Sequence, residues 1–164
     1  LAATSTKKAL FSGGCFWGLE YFFRRQAGVI DVQTGYTGGT HPAPTYKLTH
    51  EIETGHRECV EVSYDSTVTD FETLVRFFFE IHDSSDPGGM RNERGFLYTS
   101  AIYYYDEEQR EIAEKVIKEL QTKGDVVVTE VCKFEKLFLA EDEHQNHHGR
   151  FGCAPICHIY TKRF

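Results

Sequence analysis

"FSGGCFWGLEYFF", Phe11–Phe23, carries the chain from a short strand through a glycine turn into a helix. The strand reading starts in "KALF", and Phe16, Leu19, Phe22 and Phe23 then recur at helical spacing. A strand that turns directly into a helix opens a layered α/β fold. The same stretch sets Cys15 at the predicted helix start, after Gly13-Gly14 and before Phe16-Trp17. Three fates are open to that thiol: a buried structural cysteine, a metal ligand or a nucleophile. Backbone N–H groups at a helix N-terminus point outward unpaired, and the helix dipole is positive there. Both favour a thiolate.

Outward from this stretch, the helix is predicted to run to about Gln26, with Gly28 as its C-cap. "VIDVQTGY" reads as a strand. Thr37 to His56 is rich in Gly, Pro and Thr, with little apolar periodicity. A long loop of this kind inside a compact domain is often functional. "RECVEVSYD" alternates as a strand, and Thr69-x-x-Glu72 reads as a capping box for a helix through Phe71, Leu74, Val75 and Phe78. "AIYYY" is a strand, Asp106 caps a long helix ending at Gly124, and "DVVVTEV" is the last strand. From Cys132 onward no period is visible. The order β-α-β-β-α-β-α-β predicts an α/β (α+β) fold, a two-layer sandwich with a mixed sheet covered by helices. One catalytic domain is expected over residues 1–164, with a tail over about 1–6 and a coil-rich C-terminal arm over about 133–164.

A chain of 164 residues can build a core without disulfide staples. A net charge of −7, with no Lys/Arg-rich block, argues against nucleic acid as a partner. The densest apolar stretch, "LVRFFFEI", is broken by Arg76 and Glu80, so no run is long enough to cross a membrane. No signal peptide is visible, and the chain starts at Leu1. Five cysteines, an odd number in a chain this long, suggest a reducing compartment and thiol chemistry at some of them. A cytoplasmic monomer is the expectation.

Further residues can carry chemistry. Glu58 stands at the start of a strand; buried near apolar rings, its carboxyl would become a proton donor near neutral pH. Tyr36 and Tyr98 could each donate a hydrogen bond to a polar oxygen. The arm gathers His144, His147, His148, Cys153, Cys157 and His158, at spacings that match none of the recurrent zinc patterns well. One reading of this group is a metal-binding module. Another is that one of its cysteines meets Cys15 as a resolving thiol. A third reading of the chain is a Cys-His hydrolase, with His56 or His144 as base to Cys15.

"GGCFWG" at 13–18, "GYTGG" at 35–39, "PTY" at 44–46 and "TGHRECVEVSYD" at 54–65 occur in that order. "EIHD" at 80–83, "YTSAIYY" at 98–104, "DEEQ" at 106–109 and "AEDEHQ" at 140–145 follow. With these motifs spread over nearly its whole length, the chain resembles the peptide methionine sulfoxide reductase A family. The resemblance implies that Cys15 attacks the sulfur of a methionine-S-sulfoxide, free or in a protein. It implies that Phe16 and Trp17 hold the S-methyl group, and that Glu58 protonates the sulfoxide oxygen with Tyr36 and Tyr98 as hydroxyl partners. Cys157 is implied as the resolving cysteine, with Cys153 second. No bound cofactor is implied; an external dithiol, thioredoxin, would restore the thiols. Glu93 stands where the family has an Asp that seats the peptide backbone, and Thr99 where it has an Arg.

Overall fold

Six strands, β1 (Thr6–Ser12), β2 (Val29–Thr37), β3 (Arg57–Asp65), β4 (Ala101–Tyr104), β5 (Glu130–Lys133) and β6 (Leu137–Leu139), form one sheet in the order β5-β4-β1-β3-β2-β6. The β4–β5 pair is parallel and the other pairs are antiparallel, so the sheet is mixed, as the sequence predicts. The computed structural model describes residues 5–90, 93–151 and 158–164. Five helices accompany the strands: α1 (Phe16–Arg24), α2 (Tyr46–Glu51), α3 (Phe71–Glu80), α4 (Glu107–Thr122) and α5 (His147–Phe151).

Alternation along the strands builds the core. Val60, Val62 and Tyr64 of β3 join Ala9, Phe11, Val32 and Ile102 on one face. There they meet Leu19 and Phe23 of α1, Leu74 and Phe78 of α3, and Val116 and Leu120 of α4. Phe11 is the hub, with its ring 5.0 Å from Phe23 and 4.9 Å from Phe78. The opposite face buries a smaller set, Leu10, Cys59, Ala101 and Tyr103. Glu58 has the parity of Val60 and Val62, so it stands on the helix face, and Tyr36 pairs with it across the β2–β3 ladder.

Several boundaries differ from expectation. Asp70, not Thr69, caps α3, its carboxylate accepting the Thr73 N–H at 2.8 Å. Thr69 is held in the preceding turn by its N–H bond to the Asp65 carbonyl. In "DVVVTEV" pairing begins only at Glu130, and Val126 is 65% exposed. The Thr37–His56 loop contains α2, capped by Thr45, whose side chain accepts the Leu48 N–H. The arm is also more ordered than its sequence suggests, with β6 and α5 in it. Gln145 extends the β2 edge with its side-chain amide, which accepts from the Thr34 N–H and donates to the Thr34 carbonyl, both at 2.9 Å. The chain end lies along α3, where the Thr161 N–H meets the Glu80 carbonyl at 2.7 Å. Among the described residues no helix is long and apolar enough to cross a membrane.

Candidate active site

Cys15 is the N-cap residue of α1, at the end of the turn that leaves β1. The glycines around it are required by contact. Gly14 has φ +89, and a Cβ there would collide with the Met90 side chain; a Cβ on Gly18 would collide with the His158 ring. His158 is buried, and its Nε2 donates to the Gly13 carbonyl at 2.8 Å. Burial lowers its pKa to about 4, so the ring is neutral at pH 7.

The expected helix-start effect on Cys15 is present but does not prevail. Burial is the largest influence and pushes the thiol up, and the Glu58 and Glu93 carboxylates add to it. The Trp17 and Gly18 backbone N–H groups act the other way. At 8% exposure the loss of water outweighs them, so the resting residue is a thiol.

Glu58 accepts the N–H of Phe16, the residue after Cys15, at 3.0 Å. It is 1% exposed, and its pKa is raised to about 8 by burial, with a further push from Glu93. The carboxyl is therefore protonated at neutral pH and lies against the turn that carries Cys15. Both tyrosines reach this site, and each hydroxyl has a partner. Tyr36 donates to Glu141 at 3.4 Å, and the Tyr98 hydroxyl lies 2.7 Å from Nε2 of His50. Burial raises both phenols well above the usual tyrosine range, so both remain neutral hydrogen-bonding groups.

The apolar wall is an aromatic stack. Phe16 packs on Tyr36 with ring centroids 5.7 Å apart, and Trp17 packs flat on Tyr46 at 5.9 Å and on His147 at 3.8 Å. Trp17 donates its indole N–H to Nδ1 of His144 at 3.2 Å. Glu141 holds α2 in place by accepting the Tyr46 N–H at 3.0 Å. Glu93 is half-buried in the loop between α3 and β4, its backbone paired with Met90. Its charge acts on Cys15, Glu58 and Tyr98.

Cys15, Phe16, Trp17, Tyr36, Glu58, Glu93 and Tyr98 thus converge, while Cys153 and Cys157 lie outside the described residues. Tyr46, His50 and Glu141 also line the site, and sequence reasoning missed them. The pattern "PTY" hinted at Tyr46 alone.

A model of the peptide methionine sulfoxide reductase family matches residues 7–163. The chain belongs to that family. It is an enzyme of this class, a thiol-dependent methionine sulfoxide reductase. A peptide methionine sulfoxide reductase MsrA of Nocardia farcinica is 43% identical over 158 residues, covering 94% of this reductase and 91% of that one. Mxr1 from Saccharomyces cerevisiae in reduced form superimposes with a TM-score of 0.89 at 25% identity, covering 99% of this chain and 94% of that one. Methionine sulfoxide reductase A of Corynebacterium diphtheriae does so with a TM-score of 0.80 at 33% identity, covering 92% of this chain and 77% of that one. The yeast protein is also known in complex with Trx2, at a TM-score of 0.64 and 21% identity.

The histidines weighed for other chemistry have other partners. His56 accepts the Gly39 N–H on Nδ1 and donates from Nε2 to the His41 carbonyl. His144 has its Nδ1 on Trp17. Among the described residues, Glu141, Glu143 and His144 bring ligand atoms within 4.8 Å of one another. Glu141, however, is engaged by Tyr36 and Tyr46, and His144 by Trp17.

Proposed function

We propose that the chain reduces methionine-S-sulfoxide, free or in proteins, with Cys15 as nucleophile and Glu58 as the acid. The observation that carries this reading is the Glu58 carboxyl, buried with no lysine or arginine partner among the described residues, protonated near neutral pH and hydrogen-bonded beside Cys15. A sulfoxide is a poor electrophile until its oxygen is protonated. Glu58 gives that proton, and the Cys15 sulfur bonds to the sulfoxide sulfur as its own hydrogen leaves for Glu58. The S–O bond breaks, the released hydroxide bonds to the Cys15 sulfur, and the S–S bond breaks to free the thioether. The products are methionine and a sulfenic acid on Cys15; the hydroxyl carries the proton from Glu58, and the thiol hydrogen has replaced it on Glu58. Phe16 and Trp17 form the pocket for the S-methyl group. With the methyl pocket on one side and Glu58, Tyr36 and Tyr98 on the other, only one sulfoxide epimer presents its sulfur to Cys15. Glu93 seats the substrate's backbone.

The sulfenic acid then condenses with a second thiol to a disulfide and water. Cys157 is the proposed partner, with Cys153 second. What supports Cys157 is its neighbour His158, whose ring is fixed against Gly13 and Gly18 on either side of Cys15. A dithiol returns both cysteines to thiols by exchange. Thioredoxin is the proposed dithiol, in keeping with the yeast relative's complex with Trx2. The catalytic unit is proposed to be one domain acting as a monomer, with no bound cofactor, in the cytoplasm.

Counting methionine released per enzyme tests the reading. Cys15→Ser is expected to release none, and Cys157→Ser one per enzyme, with no recycling by thioredoxin. Full turnover by Cys15→Ser would sink the assignment of the nucleophile. A stall in Cys153→Ser, with Cys157→Ser still recycling, would exchange the two arm cysteines.

A further inference from the structure

We propose that His50 is a positioning residue of this reductase: its protonation state sets which way the Tyr98 hydroxyl points, and so whether Tyr98 donates to the sulfoxide oxygen. The inference rests on the reading of Glu58 and Tyr98 as partners of that oxygen.

Hydrogen-bond chemistry fixes the imidazole tautomer. His50 lies in the last turn of α2, and its Nδ1 is 2.6 Å from the Tyr46 carbonyl oxygen. A carbonyl only accepts, so Nδ1 carries a hydrogen. Thr49 Oγ1 is consistent with this: it donates to the same carbonyl at 2.9 Å and offers a lone pair to Nδ1 at 3.3 Å. A neutral imidazole with its hydrogen on Nδ1 has only a lone pair on Nε2. That lone pair is 2.7 Å from the Tyr98 oxygen. Beside neutral His50, Tyr98 must therefore donate its hydrogen to the imidazole, away from a substrate.

An imidazolium reverses the bond. Both ring nitrogens then donate, the Tyr98 oxygen accepts, and its O–H turns to the pocket. Nε2 is also 3.6 Å from Oε2 of Glu58, so the same positive charge faces the carboxylate left when Glu58 gives up its proton. The net chemistry is unchanged: the oxygen still takes its proton from Glu58 and the Cys15 hydrogen still replaces it, and His50 orients one donor and steadies the other.

His50 is placed to exchange protons with water, unlike the groups it governs. Its side chain is 30% exposed where that of Glu58 is 1%. Beside it opens a cavity of about 350 Å³, between α2 and the turn carrying Tyr98, with Glu51, Glu53 and Arg94 in its walls. The other titratable groups near His50 are Tyr46, whose ring lies tilted against it with centroids 4.0 Å apart, His144 of the arm, and Glu93, whose charge reaches Glu58 and Tyr98. Of these neighbours, only Tyr98 forms a hydrogen bond with Nε2 among the described residues.

The test is the pH dependence of methionine release in a single turnover, measured for the wild type, His50→Phe, Tyr98→Phe and the double variant. Phenylalanine keeps a ring to pack against Tyr46. At the acid end His50→Phe is expected to be slower than wild type by about tenfold, the loss of one charged hydrogen-bond partner. At the alkaline end it is expected to match or exceed wild type, because nothing then captures the Tyr98 hydrogen; the two profiles cross. In the Tyr98→Phe background the crossing is expected to vanish. His50→Gln, an uncharged amide, is expected to flatten the same pH dependence and serves if the phenylalanine variant does not fold. A ratio to wild type that is constant with pH, or a crossing that persists without Tyr98, would overturn the inference. Loss of activity in Cys15→Ser with full activity in Tyr98→Phe would overturn the assignment of Tyr98 and this inference with it, leaving the nucleophile in place.

Discussion

Glu20 and Glu58 are equally buried, each 1% exposed, one on α1 and the other against its first residue. Their surroundings differ. Glu20 accepts from the Arg24 guanidinium at 3.1 Å and from the Asn146 and His147 backbone N–H groups at 2.7 and 3.3 Å. Among the described residues Glu58 accepts one backbone N–H and has no lysine or arginine partner; Nε2 of His50 lies 3.6 Å from its carboxyl. Burial raises the pKa of both, but at Glu20 the Asn146 N–H and Arg24 pull it back, whereas Glu58 rises to about 8. Burial without a permanent cation turns a carboxyl into an acid. Burial with one makes it an anchor, here for the start of α5.

The largest expected effect breaks the acid side of this comparison. Glu58→Gln keeps the shape and the Phe16 bond but has no proton to give. Its kcat for sulfoxide reduction is expected to fall by about 10²–10⁴ with the fold intact. Steady-state rates beside a circular dichroism spectrum check this; a loss under threefold would remove Glu58 from the acid's role.

A smaller effect breaks the anchor side. Arg24→Met leaves Glu20 buried without its cation and should destabilise the fold by about 2–3 kcal/mol, the lower range for a broken buried pair because the Arg24 side chain is 28% exposed. Urea unfolding measures it, and activity per folded molecule should hold. An unchanged midpoint would show that the Asn146 and His147 bonds suffice.

Within any one pH unit, a still smaller effect sharpens the contrast. Glu58 has a folded pKa of about 8 against an ordinary 4.5, so between these values the folded state keeps a proton that the unfolded state releases. Its contribution to stability is full below the lower value and lost as pH rises through the upper one. Wild-type stability should therefore fall relative to Glu58→Gln by about 1.4 kcal/mol per pH unit in this window. Parallel stability curves would contradict it.

The sequence showed most where the determinants are local. Cys15, Phe16 and Trp17 sit on consecutive positions of one strand-turn-helix, and its glycines and periodicity are visible in the string. Alternation placed Glu58 on a strand, but the sheet register that sets Tyr36 across from it is a long-range fact. The helix bearing His50 has six residues and a polar sequence, too short for a period to emerge. His144 was visible as a histidine in the arm, yet its place under Trp17 joins residues 127 apart in the chain. The thiol of Cys15 shows the same limit. A helix start can be read from sequence, but the depth of burial that overrides it cannot.

That depth has a consequence for the enzyme's own survival. Peroxide attacks thiolates, and it attacks them where it can reach them. Cys15 is almost enclosed, and its proton is held firmly by burial and neighbouring carboxylates. As the proposed nucleophile, Cys15 would therefore be a slow target for the oxidants that create its substrate. In the proposed mechanism its reactivity is called up by a sulfoxide entering the pocket and taking the proton from Glu58, so it would stay dormant between substrates and reach the sulfenic state chiefly by repairing a methionine.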